Sequence, residues 1–173
     1  MNNFLITGTP GVGKTTLIKS LFDELVQFNP VGFYTAEIRE SGIRRGFELD
    51  DFHGHKDLLS HIQVKSVHRV GKYGVDIEGF ERYLDTIEFK KTDCRLVIID
   101  EIGKMECLSG KFLALINELL DSEKTLIATV AVVGGGIISD VKRRQDARIF
   151  QVTAANRDSL ASEIVRYAND ALT

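Results

Sequence analysis

The sequence predicts a three-layer α/β domain with a mostly parallel central sheet and an antiparallel β excursion at about residues 44–68. Two observations predict this class. Apolar runs typical of buried strands alternate with stretches of helical hydrophobic periodicity through most of the chain, and this alternation is typical of a parallel sheet covered by helices on both faces. A glycine-rich loop also joins the first apolar run directly to the first helical stretch, as in the strand–loop–helix units of such sheets.

The composition fits one globular domain spanning residues 1–173. Hydrophobic residues make up 43% of the chain and charged residues 27%, both ordinary values for a domain with a substantial core. The net charge of −3 gives no basic field that would attract nucleic acid or an anionic membrane. The start of the chain lacks a signal-peptide pattern, and its longest weakly polar run, Leu126 to Ile138, is too short to cross a bilayer. The expected location is therefore the cytoplasm, with neither membrane nor nucleic acid as a partner.

The first strand and the first helix flank the glycine loop. Phe4–Ile6 is a short apolar run suited to a buried strand. Six apolar residues follow the loop at helical spacing: Leu17, Ile18, Leu21, Phe22, Leu25 and Val26. This helix is expected to end near Asn29, because the residue before Pro30 is disfavoured in the α region. Val31–Ile38, rich in β-branched and aromatic residues, predicts the next strand.

The next region predicts the antiparallel excursion. Glu40–Arg44 has the composition of a turn, and Gly46–Leu49 and Ile62–Val64 alternate apolar with polar residues, which predicts half-buried antiparallel strands. A segment with two glycines follows. It is either a simple connector or a loop in which Lys72 or Tyr73 faces the ligand of the glycine loop.

The second half of the chain continues the alternation of strands and helices. Asp76 and Ser109 are plausible N-caps of two amphipathic helices, and a closing helix begins near Asn156. The predicted strands of this half are Leu96–Ile99, Thr125–Val130 and Ile149–Val152. Leu96–Ile99 is continuously apolar, as expected for a central parallel strand.

The glycine loop matches a phosphate-binding motif. Gly8, Gly13, Lys14 and Thr15 satisfy the pattern G-x-x-x-x-G-K-[ST]. Glycine has no Cβ, so the backbone can lie against phosphate oxygens, and the N–H groups of the loop and of the helix N-terminus point at the anion. Lys14 would reach the β- and γ-phosphates as a catalytic residue, and the Thr15 hydroxyl would bind Mg²⁺. The predicted nucleotide-binding residues are Gly8, Thr9, Pro10, Gly11, Val12, Gly13, Lys14, Thr15 and Thr16.

A second part of the site is predicted where the apolar run Leu96–Ile99 ends. An apolar run followed by an aspartate is the Walker B pattern, in which Asp100 would hold Mg²⁺ opposite Thr15. Ligands of parallel sheets bind at the carboxyl ends of strands, so both parts are expected at one edge. Glu101 follows directly, and its carboxylate could orient and deprotonate a water in line with the γ-phosphorus. Glu106 is a second candidate base.

The cation that would stabilise transition-state charge is not identified by the sequence. The segment Ala131–Val133 is wholly apolar and supplies none. The candidates elsewhere are Lys104, Lys142, Arg143, Arg144 and Arg148. If none is well placed, turnover is expected to be slow until an unidentified activator or an oligomer supplies an arginine, because an arginine finger is worth about 10³–10⁵ in turnover.

Several stretches together resemble a known family. They are Thr7–Thr16, Gly32–Glu40, Arg45–Phe47, Arg69–Val75, Ile99–Glu106, and Val152–Thr153 with Asn156–Asp158. The chain resembles, over nearly its whole length, the nucleoside-triphosphatase family first described from thermophiles, also called the cancer-related nucleoside triphosphatase family. The resemblance implies a P-loop NTPase fold and Mg²⁺-dependent hydrolysis of nucleoside triphosphates to NDP and phosphate with little base preference. It also implies metal and base roles for Asp100 and Glu101.

Two other functions remain as alternatives. A P-loop kinase would share Lys14 and Thr15 and transfer the γ-phosphoryl group to a nucleoside or small metabolite, with the basic segment Val141–Arg144 as a poor candidate for its lid. A GTPase switch is suggested by Asp100–Gly103, which formally matches D-x-x-G. No Asn-Lys-x-Asp motif follows it, which disfavours the switch.

Overall fold

A computed structural model describes residues 1–173 as nine strands and five α-helices. The strands are β1 (Asn3–Thr7), β2 (Val31–Glu40), β3 (Ile43–Asp50), β4 (Lys56–His61), β5 (Arg69–Val70), β6 (Tyr73–Val75), β7 (Leu96–Ile102), β8 (Thr125–Val130) and β9 (Ala147–Gln151). The helices are α1 (Lys14–Glu24), α2 (Ile77–Thr86), α3 (Gly110–Leu120), α4 (Ile137–Val141) and α5 (Arg157–Leu172). Short 3₁₀ turns lie at Val26–Phe28 and Glu106–Leu108.

All nine strands form one sheet in the order β5-β6-β4-β3-β2-β7-β8-β1-β9. Neighbouring strands pair in parallel in one part of the sheet, which we call the parallel half: β2, β7, β8, β1 and β9. The strands β3 to β6 pair antiparallel, and we call them the antiparallel half. Strand β2 belongs to both halves, since residues 31–33 pair with β7 and residues 34–40 pair with β3. The predicted class, a mostly parallel sheet with an antiparallel excursion, is confirmed.

Two hydrophobic cores cover the two faces of the parallel half, which gives the three layers. Helices α1 and α5 pack on one face, and α2, α3 and α4 contribute to the core on the other. Alternate residues of β1 point to opposite cores, with Phe4 and Ile6 in the first and Leu5 in the second. All six residues of β8 are buried, as expected for a strand covered on both faces. No helix is long and apolar enough to span a membrane.

The antiparallel half differs in detail from the prediction. The turn after β2 is confined to Ser41 and Gly42, and the antiparallel strands run from residue 43 to residue 75. The strand expected at Ile62–Val64 is wrong, because these residues follow β4 as a turn. The pairing of β3 with β4 shifts register between Phe47 and Glu48, so β4 does not show the simple apolar–polar alternation of an unbroken ladder.

Helix boundaries follow the predicted signals. The Asp76 carboxylate accepts a hydrogen bond from the Gly79 N–H at 2.9 Å, and the Ser109 hydroxyl accepts one from the Phe112 N–H at 3.0 Å. Both N-caps are therefore confirmed. The first helix ends at Glu24, earlier than expected, and a 3₁₀ turn carries the chain on towards Pro30.

Candidate active site

The glycine loop connects β1 to α1 at the carboxyl end of β1. Gly11 and Gly13 have φ angles of 78° and 108°, in the left-handed region that favours glycine. Gly13 is the N-cap of α1 and provides no side-chain cap, so the first N–H groups of the helix are free to bind an anion. At Gly8, a Cβ would lie 2.8 Å from the Val152 carbonyl oxygen. The end of β9 therefore packs directly against the loop.

Lys14 is the first residue of α1, and its side chain folds back over the loop. Its Nζ donates to the Gly8 carbonyl at 2.7 Å and to the Thr9 carbonyl at 3.4 Å. The ammonium group therefore lies beside the same stretch of backbone that the motif predicts to surround phosphate. The segment from Gly8 to Thr16 forms one continuous loop and first helical turn.

Asp100 lies near the end of β7 and is only 2% exposed. One carboxylate oxygen accepts from the Thr15 hydroxyl at 2.5 Å, and the other accepts from the Thr129 hydroxyl at 2.5 Å. Burial raises the pKa of Asp100, while these two hydrogen bonds and the charge of Lys14 act in the opposite direction. The structure thus brings together the two residues predicted from separate motifs. Hydroxyl and carboxylate oxygens suit a hard divalent cation.

Thr129 was not identified from the sequence as a site residue. It is fully buried near the end of β8, the strand beside β7. The available signal was a polar residue at the second-to-last position of a largely apolar strand that ends at the same edge as Asp100. The register in which β7 and β8 pair brings the Thr129 hydroxyl to the Asp100 carboxylate. The sequence alone does not reveal this register.

Glu101 is partly buried and follows Asp100 at an irregularity in the sheet. The pairing of β7 with β8 shifts register between Ile99 and Ile102, as strands often do next to active sites. Burial is the main cause that raises the pKa of Glu101, and the charge of Asp100 adds to it. The charges of Lys14 and Lys142 lower it. A carboxylate whose pKa is raised is a stronger base than an exposed glutamate.

Glu106, the second candidate base, lies close to Glu101. Oε1 of Glu101 and Oε2 of Glu106 are each 2.7 Å from the point where a Cβ on Gly103 would lie. The two oxygens are therefore no more than about 5.4 Å apart. Glu106 is 4% exposed, and burial, followed by the charge of Glu101, raises its pKa to about 8. Gly103 leaves room for both side chains, a role that the sequence analysis did not identify.

The five candidate cations are in different environments. Lys142 donates to the carbonyl oxygens of Ala131 and Val132 at the end of β8, and its charge acts on Glu101. The three arginines pair elsewhere: Arg143 with Asp140, Arg144 with Asp121 and Asp146, and Arg148 with the ring of Tyr167. Lys104 is exposed. Of the five, Lys142 is the cation that influences the candidate base.

The segment with Lys72 and Tyr73 does not face the glycine loop. It forms the β5–β6 hairpin, and five strands lie between β6 and β1 in the sheet. Tyr73 is buried, and its hydroxyl accepts a hydrogen bond from Arg44 at 3.0 Å. The interpretation that either residue faces the nucleotide is therefore wrong, and the segment is a hairpin rather than a simple connector.

Comparisons with known proteins agree with this geometry. A family model described as NTPase matches residues 3–165. Nucleoside-triphosphatase THEP1 from Thermotoga sp. (strain RQ2) is 44% identical over 162 residues, covering 93% of this chain and 92% of that protein. Cancer-related nucleoside-triphosphatase from Homo sapiens is 37% identical over 177 residues, covering 92% of this chain and 93% of that protein.

Solved structures show the same fold. The crystal structure of THEP1 from the hyperthermophile Aquifex aeolicus matches with a TM-score of 0.83 and 32% identity, covering 96% of this chain and 98% of that one. The solution structure of a human cancer-related nucleoside triphosphatase matches with a TM-score of 0.80 and 31% identity, covering 98% of each chain. Because the family model, the relatives and the fold all match over nearly the whole length, the chain belongs to the NTPase family.

Proposed function

We propose that this chain hydrolyses nucleoside triphosphates to NDP and phosphate in a Mg²⁺-dependent reaction with broad base specificity and slow turnover. The observation that carries the proposal is the contact between the Thr15 hydroxyl and the Asp100 carboxylate at 2.5 Å. It joins the phosphate-binding loop to the end of β7, with Glu101 next in the chain. The relatives are named nucleoside-triphosphatases, which supports the same activity.

In this proposal the phosphates lie in the loop formed by Gly8, Thr9, Pro10, Gly11, Val12, Gly13, Lys14, Thr15 and Thr16. The free N–H groups at the start of α1 donate to phosphate oxygens. Lys14 exchanges its hydrogen bonds with the Gly8 and Thr9 carbonyls for contacts with the β- and γ-phosphates. The amine needs only to rotate within the loop to do so.

The metal role is proposed for Thr15 and Asp100. Their oxygens, one hydroxyl and one buried carboxylate, fit Mg²⁺, which prefers oxygen ligands and retains several waters. When bound, Mg²⁺ neutralises charge on the β- and γ-phosphate oxygens. The Thr129 hydroxyl holds the second carboxylate oxygen of Asp100 and so fixes the orientation of the carboxylate.

Glu101 is proposed as the general base. Its carboxylate takes a proton from a water molecule as the water oxygen forms a bond to the γ-phosphorus. The bond from the γ-phosphorus to the bridging oxygen breaks, and NDP and phosphate result. Burial of Glu101 favours this role, because in a site with little water fewer solvent molecules compete with the attacking water for the carboxylate oxygens.

Slow turnover follows from the surroundings of the γ-phosphate. Three of the candidate cations are held by Asp121, Asp140, Asp146 or Tyr167, and Lys142 is engaged with carbonyl oxygens. We therefore propose that an activator or an oligomer supplies an arginine. Phosphate release faster than about 10 s⁻¹ by the isolated chain would contradict this part, given the effect of arginine fingers on turnover.

The kinase and switch alternatives gain no support from the structure. The basic segment considered as a kinase lid has both arginines engaged in ion pairs, Arg143 with Asp140 and Arg144 with Asp146. The relatives described above are named triphosphatases. Two further expectations remain predictions: residues 1–173 form a single domain, and the protein is located in the cytoplasm.

Measurement of phosphate release from the Mg²⁺ complexes of ATP, GTP, CTP and UTP tests the proposal. We expect wild type to hydrolyse all four and Glu101→Gln to bind nucleotide with unchanged affinity while losing turnover by about 10²–10⁴-fold, the usual contribution of a general base. Glu118→Gln, an exposed residue of α3, is the matched control and should retain turnover. Unchanged turnover in Glu101→Gln would exclude Glu101 as the base.

A further inference from the structure

The side of the glycine loop away from the candidate base is formed by β9 and α5. In the sheet, β8 and β7 lie on one side of β1, and β9 lies on the other. Asp100 and Glu101 are on β7. If the γ-phosphate lies towards Glu101, as in the proposed function on which this inference rests, the nucleoside extends towards β9 and α5.

Arg157, the first residue of α5, packs against the glycine loop at this side. Its Cδ lies 3.8 Å from the point where a Cβ on Gly13 would be. Its side chain is 52% exposed, and the nearest carboxylate oxygen, on Asp158, is 3.6 Å from Nε. Asp158 is itself 95% exposed, so this contact is weak. The carbon stem of Arg157 therefore lies beside the glycine loop, and Asp158 holds its guanidinium only weakly.

The backbone that carries Arg157 is held in place by hydrogen bonds. The Asn156 side chain accepts from the Thr153 N–H at 2.8 Å and donates to the Gln151 carbonyl at 2.8 Å. The Arg157 N–H donates to the Thr153 carbonyl at 3.1 Å. These bonds anchor the start of α5 to the end of β9 and so fix the backbone from which the Arg157 side chain extends.

The Asn156 amide beside Arg157 is already engaged within the turn. Ala154 and Ala155 have only methyl side chains. The amide of Asn156 already uses both its oxygen and its nitrogen within the turn. If a base lies beside this turn, the planar guanidinium of Arg157 offers a surface for the ring face, which all four bases share.

We propose that Arg157 binds the nucleobase by stacking its guanidinium on the face of the ring, and that this contact makes the site tolerant of different bases. Arg157 is thus a specificity-determining residue that contributes binding energy without selecting a base. Stacking favours the larger purine rings modestly, because they offer more area.

Calorimetric titration with ADP, GDP, CDP and UDP in the presence of Mg²⁺ tests this inference without depending on hydrolysis. Pyrophosphate with Mg²⁺ is the probe that has the phosphates and lacks the nucleoside. We expect Arg157→Ala to raise the Kd of all four diphosphates by about three- to tenfold, with the purines affected most, and to change the Kd of pyrophosphate less than about twofold. Arg157→Lys keeps the charge but has no planar group, and it should not restore affinity.

Arg166→Ala is the matched control. It removes the same charge from the same helix, about 13 Å further along the axis, where the guanidinium lies near the Tyr167 ring. It should change none of the affinities.

Two results would overturn the inference. If Arg157→Ala weakens pyrophosphate binding as much as diphosphate binding, and Arg157→Lys restores the affinity for pyrophosphate, then Arg157 contacts phosphate and the inference is wrong. Unchanged diphosphate affinity in Arg157→Ala would also overturn it. Absence of triphosphate hydrolysis in wild type would instead refute the proposed function and leave these affinities interpretable.

Discussion

The two halves of the sheet differ in where they carry charge. The parallel half buries the carboxylates of Asp100 and Glu106, which are 2% and 4% exposed. The antiparallel half buries one carboxylate, that of Asp50, which is 5% exposed and accepts a hydrogen bond from the Phe52 N–H. It also carries ion pairs at the surface, such as Glu37 with Arg39 and Arg44, whose side chains are 36% to 54% exposed. Buried charge is costly and is typically retained where chemistry requires it. We therefore expect catalysis to depend on the parallel half, where Asp100 and Glu101 lie together, and the surface ion pairs of the antiparallel half to serve stability.

After Glu101→Gln, the largest effect is expected at the lysine of the glycine loop. Lys14→Ala should lower kcat/KM for Mg²⁺-ATP by about 10²–10³-fold, because it removes a positioned cation from the phosphates. Phosphate-release kinetics measure this. Lys19→Ala, in the next turn of the same helix, is the control and should lose less than about fivefold. Comparable losses in the two variants would mean that general positive charge, rather than the position of Lys14, matters.

Gly103→Ala is expected to give the next largest effect. A Cβ there would lie 2.7 Å from oxygens of both Glu101 and Glu106, so the candidate base must move. We expect kcat to fall about 10- to 100-fold, because small displacements of a catalytic group are costly. Gly110→Ala is a matched control, since nothing lies within 4 Å of its added Cβ. Steady-state kinetics measure kcat. Full activity in Gly103→Ala would show that the position of Glu101 is not critical for turnover.

Glu106 should make stability depend on pH. Burial raises its folded-state pKa to about 8, whereas an unfolded glutamate titrates near 4.3. Between these values the unfolded chain releases a proton that the native protein keeps. The stabilisation is therefore complete below about pH 4 and is lost as pH rises towards about 8.

Urea unfolding at pH 5 and pH 8 measures this loss. The free energy of unfolding of wild type should fall between the two pH values by about 2–4 kcal/mol more than that of Glu106→Gln, which resembles the protonated form and does not titrate. The exposed Glu118→Gln serves as the control and should follow wild type. An equal pH dependence in wild type and Glu106→Gln would show that Glu106 has an ordinary pKa.

The smallest effect is expected in the antiparallel half. Arg44→Ala removes the ion pair with Glu37 at 2.9 Å and the hydrogen bond to Tyr73 at 3.0 Å. Exposed pairs contribute little, so the free energy of unfolding should fall by about 0.5–1 kcal/mol. Because this group lies outside the proposed site, kcat should stay within about twofold of wild type. A loss of kcat above tenfold would show that the antiparallel half takes part in catalysis.

The parallel half was more predictable from sequence than the antiparallel half. Leu96–Ile99 and Thr125–Val130 could be identified because strands covered on both faces are largely apolar and rich in β-branched residues. In β4 the register shift opposite Phe47 interrupts the alternation, and the strand was placed several residues late. A bulge depends on both paired strands, so one strand's sequence does not reveal it.

The candidate site was predictable where one local motif defines a residue. Thr15 and Asp100 follow from two short patterns, and the structure brings them into contact. The role of Thr129 depends on the register of β8. The role of Gly103 depends on the space between two glutamates, and that of Arg157 on the packing of β9 against the loop. Those relations arise only when distant segments pack, and no local pattern carries them.

The position of β1 between β8 and β9 has a consequence for synthesis of the chain. This strand pairs with Leu126–Thr129 on one side and with Ala147–Gln151 on the other. A nascent chain on the ribosome therefore carries β1 with both edges unpaired until β8 and β9 have emerged. Such long-range pairing is slow and leaves apolar edges exposed to other chains. The glycine loop is therefore translated well before β8 and β9, the strands that later pair on either side of β1.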